Sequence, residues 1–398
     1  MISFDYVGRT GRVQGRAKAE GVDCAIVMRP ANIRYLTGYW GYATRAEYFE
    51  PRRLIALIVP RSGRPLLITP KIEFEYARQA TKGLPIELRR HVEWKEEGET
   101  EDSWGIARGY LKELGITSGK IAFERQHLTL RATAALERAF DKFAFADAAG
   151  WVDDMRAVKD ELEIGLMRRC GTLAVEMYEL QANALKEKRW REYELALHGL
   201  DHVAHRCAAE LEGTDVNSPI GDGVQLITSG PRLARAHGSA SGREIQPNDV
   251  VMFDFCRVPY LLGYRMAMGR VVSLRKLSSE ERDIEAAIEK SYTTAVAMCR
   301  PGASCSDIDS TARGILVDAK LAPYIVHRNG RGVGIEAVEP PEIKEGSADR
   351  LKAGMIISIE PSIYREGFAA RIENTLLITA DGAQLLTPAP SDIRVLAK

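Results

Sequence analysis

The sequence predicts an α+β protein of two domains, and three observations carry this prediction. The chain has 398 residues, more than the ~250 to 300 at which a single hydrophobic core stops growing. Over residues 1–150, short strand-like runs alternate with helical ones, as in α/β units. From about residue 151 the pattern changes to long amphipathic helices followed by strands, twice in succession. We therefore expect a smaller α/β domain at 1–150 and an internally duplicated α+β domain at 151–398.

The individual elements follow from periodicity and capping signals. In the first domain the strand-like runs are 22–28, 54–59, 66–69 and 121–124. In the second domain, helices at 154–185 and 193–211 precede strands at 224–229, 250–255 and 264–274. Ser278 and Glu281 form a capping-box pattern that predicts a helix to Met298. A helix from Ser304 to about residue 319 then leads to strands at 355–360 and 374–379.

Composition excludes several classes of partner. The 55 Lys and Arg residues balance 55 Asp and Glu, so no net charge attracts nucleic acid or an acidic membrane. Without a signal-peptide pattern or an apolar run of ~20 residues, we expect a cytoplasmic protein with no membrane contact. The six cysteines lack CxxC spacing, which favours reduced core thiols over disulfides or a zinc site. The expected partners are a small-molecule substrate and a second copy of the chain.

Four polar residues lie where they could share one site. His237 follows a turn-like segment, Asp254 lies inside an apolar strand, Glu360 ends another, and Glu373 opens a third. A buried acid costs several kcal/mol unless a cation or a hydrogen-bond donor faces it. Each acid alone is ordinarily exposed or salt-bridged. Convergence of all three would therefore indicate a functional site.

A series of motifs accompanies these residues. They are MRAVKDELE at 155–163, YELALH at 193–198, Ser229-Gly230 with His237 eight residues after the serine, Asn248-Asp249, Gly263-Tyr264, Gly330 to Gly334, SIEP at 358–361 and RIE at 371–373. With these motifs, 151–398 resembles the creatinase/aminopeptidase P superfamily (M24), and 1–150 resembles its amino-terminal domain. The resemblance implies a pita-bread catalytic domain with a smaller α/β domain before it.

The resemblance also implies a set of metal positions, which this chain only partly fills. Peptidases of the superfamily bind two divalent metals through two Asp, one His and two Glu side chains. Asp254, Glu360 and Glu373 match three of these positions, whereas Ala267 replaces the second Asp and Arg331 replaces the His. A second His of the peptidases, just before Glu339-Pro340, is replaced by Val338. We therefore expect no metal and no other cofactor. Arg331 would act as the countercharge, through forked hydrogen bonds to Glu360 or Glu373.

These replacements make the metal-free creatinase and ectoine hydrolase branch the expected relative. The resemblance to that branch implies a hydrolase that cleaves a C–N bond in a small carboxylated amidine, guanidine or amide. His237 would be the general acid/base, because its pKa lies near working pH, and Glu360 and Glu373 would be the other catalytic residues. An acid that binds the guanidinium in creatinase is replaced here by Gly269, which makes ectoine or an amide as plausible as creatine.

The remaining expected site residues bind the substrate. They are Asp254, Arg331 and Arg53, and in creatinase an arginine at the position of Arg53 reaches across a homodimer to hold the substrate carboxylate. Arg52 is the alternative to Arg53. Three other functions stay open: an Xaa-Pro metallopeptidase with a degenerate metal site, a lyase on a small zwitterion, and a non-catalytic relative that binds a peptide or partner.

Overall fold

The structure is a computed structural model that describes residues 4–41, 54–92, 103–211 and 225–397. The chain divides into two units, Met1–Met155 and Arg156–Lys398. In the described part, no helix is long and apolar enough to span a bilayer.

The first unit is built on a mixed sheet flanked by helices. Its described strands are β1 Cys24–Val27, β2 Ala56–Pro60, β3 Leu66–Pro70, β4 Glu87–His91, β5 Gly119–Phe123 and β6 Phe143–Asp147. They are ordered β4-β3-β2-β1-β5-β6, with β1 antiparallel to β2 and parallel to β5. The first three strands are buried along their whole length, which explains why they appear as continuous apolar runs. The helices are α1 Tyr6–Ala19, α2 Pro30–Thr37, α3 Phe74–Ala80, α4 Ser103–Glu113, α5 Leu130–Ala139 and α6 Asp153–Ala157, the last of which crosses the division at 155.

The described part of the second unit contains two larger sheets, two two-stranded sheets and four long helices. The helices are α7 Glu161–Ala184, α8 Glu192–Glu210, α9 Ser279–Met298 and α10 Cys305–Asp318. The strands are β7 Leu226–Ser229, β8 Val250–Phe255, β9 Tyr260–Leu261, β10 Tyr264–Arg265, β11 Met268–Ser273, β12 Gly330–Gly332, β13 Glu339–Ile343, β14 Ile356–Ile359, β15 Ser362–Arg365, β16 Phe368–Arg371, β17 Asn374–Ile378, β18 Ala383–Leu385 and β19 Arg394–Val395. One larger sheet has the order β19-β11-β8-β7 and the other β13-β12-β14-β17-β18, while β9 pairs with β10 and β15 pairs with β16.

The core of this unit lies between the sheets and helices α9 and α10. Ile284, Ile288 and Ala295 form a buried stripe on α9, and Ile308 and Leu316 form another on α10. The spacing of these residues is that of an amphipathic helix. The two apolar stripes thus pack α9 and α10 against the strands.

The structure confirms one predicted helix start and corrects two predicted elements. The predicted capping box of Ser278 and Glu281 is present at the start of α9, which confirms that prediction. The single helix predicted over 154–185 is wrong, because it is interrupted between α6 and α7. Val158 pairs with Met355 in an isolated bridge, and Asp160 then caps a new helix. The predicted strand 264–274 is likewise split into β10 and β11.

Candidate active site

Three buried carboxylates converge on one guanidinium nitrogen. Asp254 lies in β8, Glu360 follows β14, and Glu373 precedes β17, with exposed fractions of 2%, 6% and 0%. Nη2 of Arg371 lies 3.2 Å from Oδ2 of Asp254, 3.0 Å from Oε2 of Glu360 and 2.6 Å from Oε2 of Glu373. The three acids that the sequence places at or near strand ends are therefore brought together, and a cation stabilises their burial. Asp254, Glu360 and Glu373 are called the acid cluster below.

The strand register explains why acids from different sheets meet. Gly269 of β11 is paired with Asp254 of β8. Gly269 also forms an isolated bridge with Glu373, in which the two residues exchange backbone hydrogen bonds of 3.1 and 3.2 Å. Gly269 thus links the two larger sheets, and the two residues paired with it, Asp254 and Glu373, belong to the acid cluster.

A glycine at position 269 also leaves room for Arg371. A Cβ atom at this position would lie 2.5 Å from Nε and 2.9 Å from Cδ of Arg371, and 3.1 Å from Cβ of Glu373. Such contacts are closer than van der Waals separation. Any side chain at position 269 would require Arg371 to move.

Arg331 binds the same two glutamates from the other side. Its Nη2 lies 3.3 Å from Oε1 of Glu373, and its Nε lies 3.6 Å from Oε1 of Glu360. The forked hydrogen bond predicted for Arg331 is therefore wrong, because separate nitrogen atoms face separate glutamates. A forked hydrogen bond would use both oxygens of one glutamate, but the Oε2 atoms of Glu360 and Glu373 already face Arg371.

Burial and charge drive the pKa values of the acids apart. Burial raises the pKa of Asp254 to about 7, although Arg371 acts in the opposite direction. Burial also acts to raise the pKa of Glu373, but the guanidinium groups of Arg371 and Arg331 outweigh it and lower the pKa to about 2. Glu373 is thus ionised at neutral pH, and Asp254 can exchange a proton there.

A histidine and a tyrosine extend this cluster. Nδ1 of His327 lies 2.6 Å from the carbonyl oxygen of Arg328, and its Nε2 lies 2.8 Å from the hydroxyl of Tyr364. A carbonyl oxygen only accepts, so Nδ1 carries the proton and Nε2 accepts from Tyr364. The hydroxyl of Tyr364 in turn accepts from Nη1 of Arg371. Burial, followed by the charge of Arg371, lowers the pKa of His327.

Arg371, His327 and Tyr364 were not among the residues predicted for the site. Arg371 carried the same signal as the acids, since it ends the apolar strand β16 and is 4% exposed. A buried guanidinium needs carboxylate partners just as a buried carboxylate needs a cation. His327 and Tyr364 carried no comparable signal, because their hydrogen bond depends on two segments that are 37 residues apart.

His237 is exposed, and its side chain makes no hydrogen bond with the acid cluster. Among the described residues, its side chain makes no hydrogen bond or ion pair. The segment that carries it is fixed at both ends by Glu192, whose Oε1 accepts from the amide and hydroxyl of Ser229 at 2.8 Å each. Oε2 of Glu192 accepts from the amide of Ser241 at 3.0 Å and from its hydroxyl at 2.6 Å. The role of His237 stays a prediction.

Arg53 and Arg52 lie outside the described residues. Ala267 is fully buried, and its amide and carbonyl groups both bond the hydroxyl of Thr375. Val338 is 45% exposed.

Comparison with known proteins identifies the family. A family model described as metallopeptidase family M24 matches residues 165–380, and one described as the creatinase/prolidase N-terminal domain matches residues 9–158. The chain is 32% identical over 372 residues to a protein of Staphylococcus epidermidis named an uncharacterized peptidase, covering 92% of this chain and 95% of that one. The chain belongs to metallopeptidase family M24.

Solved structures of similar proteins share the fold over almost the whole chain. A recombinant prolidase from Thermococcus sibiricus is 26% identical, with 99% of this chain and 100% of that chain covered and a TM-score of 0.82. The dipeptidase PepE from Mycobacterium ulcerans is also 26% identical, with both chains covered completely and a TM-score of 0.81. The predicted pita-bread fold with its amino-terminal domain is therefore confirmed, and the protein is a hydrolase of the M24 family.

The predicted creatinase or ectoine hydrolase activity is wrong. These relatives are a prolidase, a dipeptidase and a protein named a peptidase, and the matching family model is that of metallopeptidase family M24. The prediction relied on a few positions where metal ligands are replaced. Those replacements determine how the charge of the acid cluster is balanced. The relatives of the protein are identified by similarity over the whole chain.

The acid cluster does not fit a pair of divalent metals. The Oε1 and Oε2 atoms of both glutamates face guanidinium nitrogens of Arg331 and Arg371. In residues 4–41, 54–92, 103–211 and 225–397, no three His, Cys, Asp or Glu side chains are arranged to hold a metal ion. Positions 267 and 331, which would supply two ligands, hold an alanine and an arginine.

Proposed function

We propose that this M24 protein hydrolyses short peptides and that its substrates are dipeptides with proline after the scissile bond. The proposal is carried by the convergence of Asp254, Glu360 and Glu373 with two arginines in one buried cluster. It is supported by the similarity of the whole chain to a prolidase and to a dipeptidase.

The cluster offers groups that complement a peptide. Within the described residues, Oδ1 of Asp254 and Nη1 of Arg331 are buried without a hydrogen-bond partner. The carboxylate oxygen can accept from the terminal amino group of the dipeptide, since a bond to proline has no N–H, and the guanidinium nitrogen can donate to a carbonyl oxygen. Such bonds are strong in a site that excludes water.

The test is a substrate panel with free amino acids as the readout. The purified protein is incubated with Ala-Pro, Leu-Pro and Met-Pro, with the matched dipeptides Ala-Ala and Leu-Ala, and with creatine and ectoine. Each arm is run with a chelator and with added Mn²⁺, so that the result does not depend on metal supply. We expect release of free proline at rates at least ~10-fold above release from the matched dipeptides, a discrimination of about 1.4 kcal/mol in transition-state binding.

Proline released by a contaminating enzyme would be recognised by a mock preparation, purified in the same way from host cells that do not carry the gene. The proposal is contradicted if no dipeptide is cleaved in either arm. It is equally contradicted if creatine or ectoine is hydrolysed in preference to every dipeptide.

A further inference from the structure

We infer that the guanidinium groups of Arg331 and Arg371 take the place of the divalent metals expected in family M24, and that the acid cluster binds no such metal. This inference goes beyond the proposed function, because it concerns metal binding and is tested without substrate. It rests on the contacts of the two arginines with Asp254, Glu360 and Glu373.

Each glutamate is held between the two guanidinium groups. Oε1 of Glu373 faces Nη2 of Arg331 at 3.3 Å, and its Oε2 faces Nη2 of Arg371 at 2.6 Å. Oε1 of Glu360 faces Nε of Arg331 at 3.6 Å, and its Oε2 faces Nη2 of Arg371 at 3.0 Å. A metal could therefore bind either glutamate only by displacing a guanidinium.

The charges of the cluster are nearly balanced without metal. The three carboxylates carry three negative charges when all are ionised, and the two guanidiniums carry two positive charges, which leaves one negative charge. A guanidinium group keeps its proton in proteins. Both therefore stay charged and would repel an added cation.

Both arginines are buried and lie in contact with neighbouring residues. Arg371 is 4% exposed and packs against Gly269. A Cβ atom added to this glycine would lie 2.5 Å from Nε of Arg371. Its Nη1 donates to the hydroxyl of Tyr364. Arg331 is 7% exposed and lies on β12, where it is paired with Ser358 of the neighbouring strand. The hydroxyl of Ser358 donates to Oε1 of Glu373 at 2.9 Å, so this glutamate oxygen already has two partners.

The experiment compares Mn²⁺ binding by the wild-type chain and by Arg331→Met. The protein is dialysed against a chelator, its metal content is measured, and it is titrated with MnCl₂ by calorimetry and by thermal unfolding. The matched control is Arg365→Met, which removes an arginine paired with the exposed Glu280. We expect no detectable binding and no shift in unfolding temperature for the wild type and the control, and for Arg331→Met a dissociation constant at least ~10-fold below the highest MnCl₂ concentration tested.

Two results would overturn the inference. One is a wild-type chain that retains or takes up one or more equivalents of Mn²⁺ with micromolar or tighter affinity. The other is an Arg331→Met variant that folds, as judged by circular dichroism, and gains no affinity, since Arg331 would then not be what excludes the metal. If that variant does not fold, the wild-type titration alone decides between the inference and its contradiction.

Discussion

Oε2 of Glu373 accepts a hydrogen bond of 2.6 Å from Nη2 of Arg371, two residues earlier in the chain. Both side chains are almost completely buried. Loss of one partner from such a pair leaves an uncompensated charge in the interior. The short loop from β16 to β17 therefore carries an ion pair on which the stability of the site depends.

Replacement of Glu373 by Gln should destabilise the fold by ~3 to 5 kcal/mol, because Arg371 and Arg331 then lose a buried counterion. The free energy of unfolding is measured by urea denaturation at pH ~8. The control is Glu280→Gln, whose carboxylate is 70% exposed and paired with Arg365, and which should cost less than about 1 kcal/mol. Equal losses in the two variants would show that Glu373 is not held as described.

Replacement of Gly269 by Ala should destabilise the protein by about 1 to 3 kcal/mol, because the added methyl group overlaps Arg371. The matched control is Gly314→Ala on α10, where a Cβ atom meets nothing within 4 Å. That substitution should stabilise the helix by up to ~1 kcal/mol. Thermal unfolding distinguishes the two directions, and a neutral Gly269→Ala would contradict the close approach.

Part of this site could be predicted from the sequence. Asp254, Glu360 and Glu373 carried a signal because each is an acid in or beside an apolar strand. Arg331 carried a signal because it stands where the resemblance expects a histidine. The position of both glutamates between the guanidinium groups of Arg331 and Arg371 could not be predicted. It depends on the bridge between Gly269 and Glu373, which links two sheets.

More of the fold than of the site could be predicted from the sequence. Strand β8 was predicted with its observed bounds of 250–255, because six consecutive buried residues make a clear apolar run. The break between α6 and α7 was missed, because helical periodicity continues through Val158 and only the bridge to Met355 reveals the interruption. A contact between residues so far apart leaves no local pattern in the sequence.

His237→Ala should lower dipeptide turnover by ~10² to 10⁴ if this residue is the general acid/base. Folding should be unaffected, because the side chain is exposed and makes no hydrogen bond or ion pair within the described residues. His205→Ala is the control, since His205 is 80% exposed on helix α8. Near-normal turnover of His237→Ala would show that His237 is not the general acid/base and would point to a residue of the acid cluster instead.

Stability at acidic pH should depend on Glu339, whose carboxylate binds Arg156 and lies 3.1 Å from Nζ of Lys159. Burial acts to raise its pKa, but the two cations outweigh it and lower the pKa from 4.5 to about 2. A lowered folded-state pKa stabilises the protein above the unfolded value, and this contribution is lost as pH falls from about 5 toward 2. Urea unfolding should therefore show a flatter dependence on pH in this range for Glu339→Gln than for the wild type. Equal slopes would show that Glu339 does not contribute.

The replacement of metal by arginine is tested most directly by X-ray diffraction from crystals grown with excess MnCl₂, with data collected at the manganese absorption edge. We expect continuous density for the guanidinium groups of Arg331 and Arg371 against Glu360 and Glu373, with no anomalous peak in the acid cluster. An anomalous peak coordinated by Asp254, Glu360 or Glu373, with either arginine displaced, would contradict the central claim.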